Sequence, residues 1–535
     1  MTDAYRALAA PPKLILPDAP RIHAICGWDG TPGTELNAPQ IEMIHEVALS
    51  RGLAGLVGVG WGKSLASLLF ANVTGSSRPL IVVRSALREN LAREHRKWCL
   101  HYRIPSFRVM TYEELSDKAK MRELGVYAPD LIVFDEAHRL KILTSARWLN
   151  FMDYLRSHQD TIIVFMSGTA TTETTDDYAH LFQAALRERS PVPYPGELAA
   201  AAWRRSIGAI PEPEPFDHIH VKPLLDAYPS DGPLYKRGRE ALRQHLNRTA
   251  GVVLSHEASC RSAIVMRAIR NPEVPKLVVD LAEQVGLDRQ DPDGQPITLQ
   301  ESDLIRRQLD YGFWYRKDWG GATAAQVDRW RLVVGKWNRL VTAYLKNPDP
   351  GVTSPSALED AVRAGSYPDL DQALRDLDEV TGWYKRVPVW VWRGWLDAQL
   401  EWLKTRPEPS IFWYTSATAL DPEFAAEKIP FASRKPKIDV DRPQTLACSL
   451  WSVREGFNMQ GWRIMRYGQT PRDAGVWQQS LARVHRLGQM ADEIEVEVCL
   501  HTKPLHSRLR ASTDAARYIQ DTTGERQRLL LATWE

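Results

Sequence analysis

The chain has 535 residues, of which 44% are hydrophobic and 25% charged, the proportions of an ordinary globular protein with room for several buried cores. Its 68 Lys and Arg stand against 66 Asp and Glu, a net charge of +2 that excludes a global positive field, so any basic track must be local. Five scattered cysteines (Cys26, Cys99, Cys260, Cys448 and Cys499) form no CxxC pair, which argues against a disulfide framework and a structural zinc site and predicts free thiols in a reducing compartment. The first twenty residues lack a basic segment followed by an apolar core, and no uncharged apolar run is long enough to span a bilayer, so an intracellular protein without membrane contact is expected.

In chain order, the first pattern is a series of short apolar runs: Gly52–Val59, Leu80–Val83, Arg108–Tyr112, Leu131–Phe134 and Thr161–Met166. Helix-period segments such as Ala86–Trp98 and Ala146–Ser157 lie between them. Buried β-branched runs alternating with helices predict βαβ units and a parallel sheet covered on both faces. From about Leu186 to Lys404 the texture changes. Pro-rich stretches at 190–197 and 210–217 read as extended, helix-free linker, and the rest reads mainly helical, with a capping-box pattern at Ser356-Ala-Leu-Glu359. Tryptophans gather there, among them Trp314, Trp319, Trp330, Trp337, Trp383, Trp395 and Trp402, and their helical spacing assigns most of them to a core. The interleaved cations Arg316, Lys317, Lys336 and Arg339 are expected to form a local phosphate-contacting patch. A second set of runs, Ile411–Thr415, Thr445–Leu450, Arg463–Tyr467 and Glu493–Leu500, predicts a second, smaller α/β lobe.

Four motifs carry chemistry. Gly58-Val-Gly-Trp-Gly-Lys-Ser64 follows an apolar run and precedes a helical pattern. Gly58, Gly60 and Gly62 would let backbone N–H groups wrap phosphates at a helix N-terminus, Lys63 would pair with their charge, and the Ser64 hydroxyl would ligate magnesium. A strict phosphate-loop pattern has Gly where Val57 stands, so this is a GxGKS variant. Asp135-Glu-Ala-His138 ends the run Leu131–Phe134, where open α/β sheets bind ligands. There Asp135 would hold the magnesium water shell, and Glu136 would orient and deprotonate an attacking water. Ser167-Gly-Thr-Ala170 ends the next run, and Ser167 and Thr169 could report phosphate state, although the tetrapeptide alone also fits an ordinary turn. Gln479-Ser-Leu-Ala-Arg483-Val-His-Arg486-Leu-Gly-Gln489 puts two arginines at i and i+3 on one helix face. They read either as a surface salt-bridge helix or as arginine fingers for charge on a γ-phosphoryl group.

Together these patterns resemble the Swi/Snf-type translocases of helicase superfamily two, over roughly Asn37–Ala185 and Arg386–Thr502. The most discriminating string is Arg483-Val-His-Arg-Leu-Gly-Gln489, which looks like that family's final motif. The resemblance implies ATP and magnesium as ligands, with Gln40 reading adenine. It also implies Gly456, in Arg454-Glu-Gly-Phe-Asn-Met-Gln460, near the nucleotide, and His138 and Gln479 among the coupling residues. Arg84, Ser85, Thr111 and Tyr112 on one lobe, and Thr415 and Ser416 on the other, would touch DNA phosphates, which carry little sequence information. The family's Trp-Asn-Pro is replaced by Gln469-Thr-Pro471, and its landmarks between Ser416 and Thr445 are missing.

The expected architecture is α/β, with two RecA-like parallel-sheet lobes and a mainly helical insertion. The segments are 1–36, an N-terminal stretch; 37–188, the first ATP-binding lobe; 189–385, linker and Trp-rich insertion; 386–505, the second lobe; and 506–535, a tail. The expected function is an ATP-dependent double-stranded DNA translocase whose ATP sits in a cleft between the lobes. A strand-separating DNA or RNA helicase and a nucleotide-gated scaffold without turnover are the alternatives.

Overall fold

The computed structural model describes residues 3–535 apart from 59–60, 144, 168–175, 210, 255–259, 261, 271, 346–354, 364–366, 434–437, 454–456 and 487–488. Gly60, Thr169 and Gly456 therefore lie outside the described residues. The chain forms two compact units, one of residues 1–261, 473–488 and 511–531, the other of 262–472, 489–510 and 532–535. Each contains one large parallel sheet, so the α/β class expected from alternating apolar runs holds.

In the first unit the strands are β1 (Leu53–Leu56), β2 (Pro79–Val83), β3 (Arg108–Thr111), β4 (Leu131–Asp135), β5 (Ile162–Ser167) and β6 (Val252–Leu254). They are ordered β3-β2-β4-β5-β1-β6, and every pairing is parallel. Alternate residues of the same strand enter opposite cores, because side chains on a strand have period two. Ile132 and Phe134 pack with Trp148, Phe151 and Trp203 on one face, while Leu131 and Val133 pack with Met43, Val47 and Leu69 on the other. With both faces buried, the strands must be apolar throughout. All carboxyl ends of a parallel sheet share one edge, so the ends of β1, β2, β3, β4 and β5 bring the first lobe's candidate residues to one side of the unit.

Part of the segment 189–385, expected to be linker and helical insertion, is folded into this unit. Helices Leu198–Ile207, Asp217–Ala227 and Leu234–Arg248 contribute Trp203, Ile207, Val221, Leu224 and Leu242 to its core. Pro-rich composition kept 190–197 free of helix, but Asp217, placed in linker by the sequence, opens a helix in which it accepts an ion pair from Arg205.

The second unit holds β7 (Ala263–Ile269), β8 (Phe313–Asp318), β9 (Lys385–Trp390), β10 (Ser410–Tyr414), β11 (Phe431–Ala432), β12 (Leu446–Ser449), β13 (Ile464–Tyr467), β14 (Glu493–Cys499) and β15 (Thr533–Trp534). Its main sheet runs β11-β12-β10-β13-β14-β7-β15, all parallel, and β8 pairs separately with β9 in antiparallel fashion. β7 lies inside the segment read as insertion, yet it pairs with β14 over its full length. The helices of that segment form their own core, in which Trp330 and Trp337 of helix Ala324–Tyr344 pack on Leu370, Leu374 and Leu377 of helix Pro368–Thr381. The core assignment of the tryptophans is thus correct for these two. Ser356 lies within helix Pro355–Arg363 rather than before it, so the capping box predicted there is not an N-terminus. Reciprocal boxes occur instead at Thr298–Glu301 and Thr323–Gln326.

The four-cation patch needs correction at its centre. Lys317 is buried, with Nζ 3.7 Å from Asp291 and 3.6 Å from Glu301 and 4.7 Å from the centroid of Trp330. No phosphate reaches it. Arg316 pairs with Asp293 at 2.7 Å and Lys336 with Asp376 at 3.7 Å, while Arg339 is exposed. Among the described residues no helix is long and apolar enough to cross a membrane.

Removing Lys317 leaves Asp291, 2% exposed, without its cation. Lys317→Ala should therefore destabilise the second unit by about 3–5 kcal/mol. Urea unfolding of both proteins measures this, and a loss below about 1 kcal/mol would place the lysine with ordinary surface cations.

Candidate active site

β1 delivers the chain to the glycine-rich turn, and helix Lys63–Thr74 follows directly. Gly62 precedes the helix at φ 73, and a Cβ on it would lie 2.3 Å from Nε2 of Gln40, so this position demands glycine twice over. Gln40 closes a capping box at the start of helix Ala38–Ser50, its Oε1 accepting from the Asn37 N–H at 2.8 Å. Its Nε2 donates to the Gly62 carbonyl at 3.0 Å, and Asn37 Nδ2 donates to Trp61 at 3.2 Å. One end of the amide expected to read adenine thus caps its own helix while the other braces the glycine turn.

Lys63 is buried and donates from Nζ to the carbonyls of Val57, at 2.8 Å, and Gly58, at 3.2 Å. The same ammonium is 4.0 Å from Oε1 of Glu136. Ser64, half-buried, is the next residue of the helix.

Glu136 leaves the end of β4 at φ 61, the left-handed region in which a residue with a Cβ is strained. Its Oε2 lies 3.3 Å from Nδ1 of His138, which in turn is 3.4 Å from the hydroxyl of Ser167 at the end of β5. Burial works to raise the carboxyl's pKa, but Lys63, the His138 hydrogen bond and charge, and Arg483 together hold it well below the usual carboxylate range. The group is an anion at any working pH. Asp135, half-exposed beside it, is held by a 2.8 Å hydrogen bond from the Tyr112 hydroxyl to its carbonyl.

Helix Ala474–Val484 starts on Asp473, whose side chain accepts from the Gly475 N–H, and every residue of the helix is buried. A solvated salt-bridge helix is excluded for this segment. Arg483 is 6% exposed and its charge reaches Glu136. The two arginines do not share a helix face, because the helix ends at Val484 and Arg486 lies in the turn beyond it. Gln479, also buried, has no hydrogen-bond partner for Oε1 among the described residues.

Three residues near this helix carry no sequence signal beyond their polarity. Gln478 donates to Glu525 at 3.2 Å and accepts from the Arg528 N–H at 2.8 Å. Arg528 donates from Nε to the His485 carbonyl at 3.1 Å. Burial pushes the Glu525 carboxyl up to about 7, moderated by the Gln478 hydrogen bond and by the charges of Lys63 and Arg528. Only a fold that returns 511–531 to the first unit brings them here, and no local motif announces that return.

The predicted DNA contacts fare unequally. Arg84 and Ser85 follow β2, half-buried and exposed respectively. Thr111 and Tyr112 are buried, Thr111 binding Glu114 and Tyr112 packing on Phe134, so their side chains offer no surface to a phosphate. In the second unit Thr415 and Ser416, at the end of β10, are tied to Gln469: its Oε1 accepts from both N–H groups and from the Thr415 hydroxyl, at 2.7–2.9 Å. Gln469, marked in the sequence as a departure, is what orders that turn.

Compared with known proteins, the chain matches no family model and no curated protein. Chemically, the first unit's site offers one buried ammonium, one locked carboxylate, one further carboxylate at the sheet edge, a helix N-terminus behind an obligatory glycine, and a buried guanidinium.

The Glu525 carboxyl ionises near 4.5 when unfolded and near 7 when folded, so the unfolded chain releases its proton first. Stability contributed here therefore falls as pH rises from about 4.5 to about 7 and is level above that. Glu525→Gln should match the parent protein's thermal stability near pH 4.5 and exceed it at pH 8. Unfolding curves separated equally at both pH values would count against a buried titrating carboxyl.

Proposed function

We propose that this protein is an ATP-driven nucleic-acid motor with RecA-like sheets, acting as a translocase on double-stranded DNA. The observation that carries the reading is the convergence of Lys63, Glu136 and Arg483 at the carboxyl edge of the first sheet, with Glu136 strained and locked as an anion. A site that binds a polyphosphate needs a cation, backbone donors and a turn without side chains, and Lys63, the helix it opens and Gly62 supply them. ATP fits these residues.

Glu136 is the group to accept a proton from attacking water, and its low pKa keeps it ionised. Arg483 adds planar positive charge for the γ-phosphoryl group. Ser64 and Asp135 offer the oxygen ligands magnesium requires, and a bound ion would screen the phosphate charge there. His138 and Ser167, 3.4 Å apart, connect the carboxylate to the end of β5 and so to coupling. Arg84 and Ser85 on one unit and Thr415 and Ser416 on the other remain the groups proposed for DNA phosphates.

Lys63→Ala should abolish ATP turnover, and wild-type rates in that variant would remove the phosphate-loop assignment. Glu136→Gln should keep ATP affinity and lose turnover by about 10²–10⁴-fold. Stimulation of the parent ATPase by duplex DNA, single-stranded DNA and RNA then separates the readings. Duplex is expected to stimulate most; a preference for single strands points to strand separation, and the absence of any turnover to a scaffold.

Arg483→Ala should slow hydrolysis by about 10³-fold or more with little change in ATP affinity. Rate and affinity measured together check this, since equal losses in both describe a binding or folding role.

A further inference from the structure

Helix Ala474–Val484 ends one residue before His485, and the backbone beyond it carries Arg486. A buried helix terminus needs partners for its last carbonyls, and a cation is the most favourable kind. Arg528 supplies one at His485. It is 6% exposed, and burial pushes its pKa down to about 10, so its position is held against a desolvation cost. Six residues before the helix end, the amide of Gln478 is gripped from both sides by Glu525 and Arg528. The segment is itself fixed, with the Gln527 N–H donating to Gln520 at 3.1 Å and the Glu525 N–H to Thr523 at 3.2 Å.

We infer that residues 525–528 form a latch on the arginine-bearing helix, in which Arg528 and Gln478 are positioning residues that hold Arg483 in register with Lys63 and Glu136. The inference rests on the ATPase reading above. The latch acts through the backbone: Arg528 fixes the His485 carbonyl, and Gln478 fixes the turn of helix before Arg483. A guanidinium displaced by a fraction of an ångström loses its hold on transition-state charge while the phosphate turn still binds nucleotide.

The test is a double-mutant cycle in the full chain, with ATP turnover and equilibrium binding of ATP measured for each protein. Arg528→Ala is expected to lower turnover by about ten- to hundredfold and to change ATP affinity by less than about threefold. In an Arg483→Ala background the same change should have almost no further effect, because the arginine through which it acts is gone. Gln478→Met, which keeps volume and loses the amide's hydrogen bonds to Glu525, Arg526 and Arg528, should repeat the pattern and serves if Arg528→Ala fails to fold. Additive losses, or parallel losses in turnover and affinity, overturn the latch. If the parent protein hydrolyses ATP, Lys63→Ala does not, and both latch variants match the parent, the latch alone is wrong. A parent protein that neither binds nor hydrolyses ATP removes the ATPase reading, and the latch with it.

Discussion

An ammonium and a carboxylate taken out of water together, 4.0 Å apart, set the terms for the first unit. Leaving either buried charge without its partner would cost several kcal/mol. Glu136 is also held in a left-handed conformation, itself worth about 1–3 kcal/mol of strain. Such a residue persists only where its surroundings over-determine it. They do so here through apolar layers on both faces of the sheet, the Tyr112 hydroxyl on the neighbouring carbonyl, and His138 against the carboxylate itself. Tyr112 is thus a support under the acidic pair, which explains why a residue expected to touch DNA phosphates is wholly buried.

The second unit contains a buried lysine that makes a useful contrast. Lys317 also sits between carboxylates, but Trp330 and Tyr384 flank it, and Glu301, one of its carboxylates, takes part in a helix cap. Asp291, its other carboxylate, accepts from the Asp293 and Gln295 N–H groups and so is spent on a turn of its own. The same pairing chemistry thus closes a packed core in one place and stands at the carboxyl ends of parallel strands in the other, the edge at which open α/β sheets take ligands.

That difference also governs how much could be read from the amino acids. The strands were legible because a sheet buried on both faces forces continuous apolar runs, and the glycine turn was legible because Gly62 stands at a positive φ that favours glycine. β7 was not, since Ala263–Ile269 carries Arg267 and acquires its identity by pairing with β14, far along the chain. The helix of Arg483 was visible as a helix, but its end at Val484 depends on tertiary partners at His485. Gln478, Glu525 and Arg528 were invisible for the same reason: each matters for what lies across from it, and no spacing records that. Thr111 and Lys317 show the converse, polar residues whose types suggested a surface and whose neighbours bury them.

Because residues 473–488 and 511–531 belong with the sheet of the first unit, the site is built from pieces made at very different times during synthesis. A nascent chain stopped at residue 261 has the glycine turn, Lys63 and Glu136, but not Arg483, Glu525 or Arg528. Contacts so distant in sequence close late, because the intervening chain must be ordered first. The protein cannot reach its working arrangement by halves, and the long return of the chain acts as a timer on when the site becomes complete.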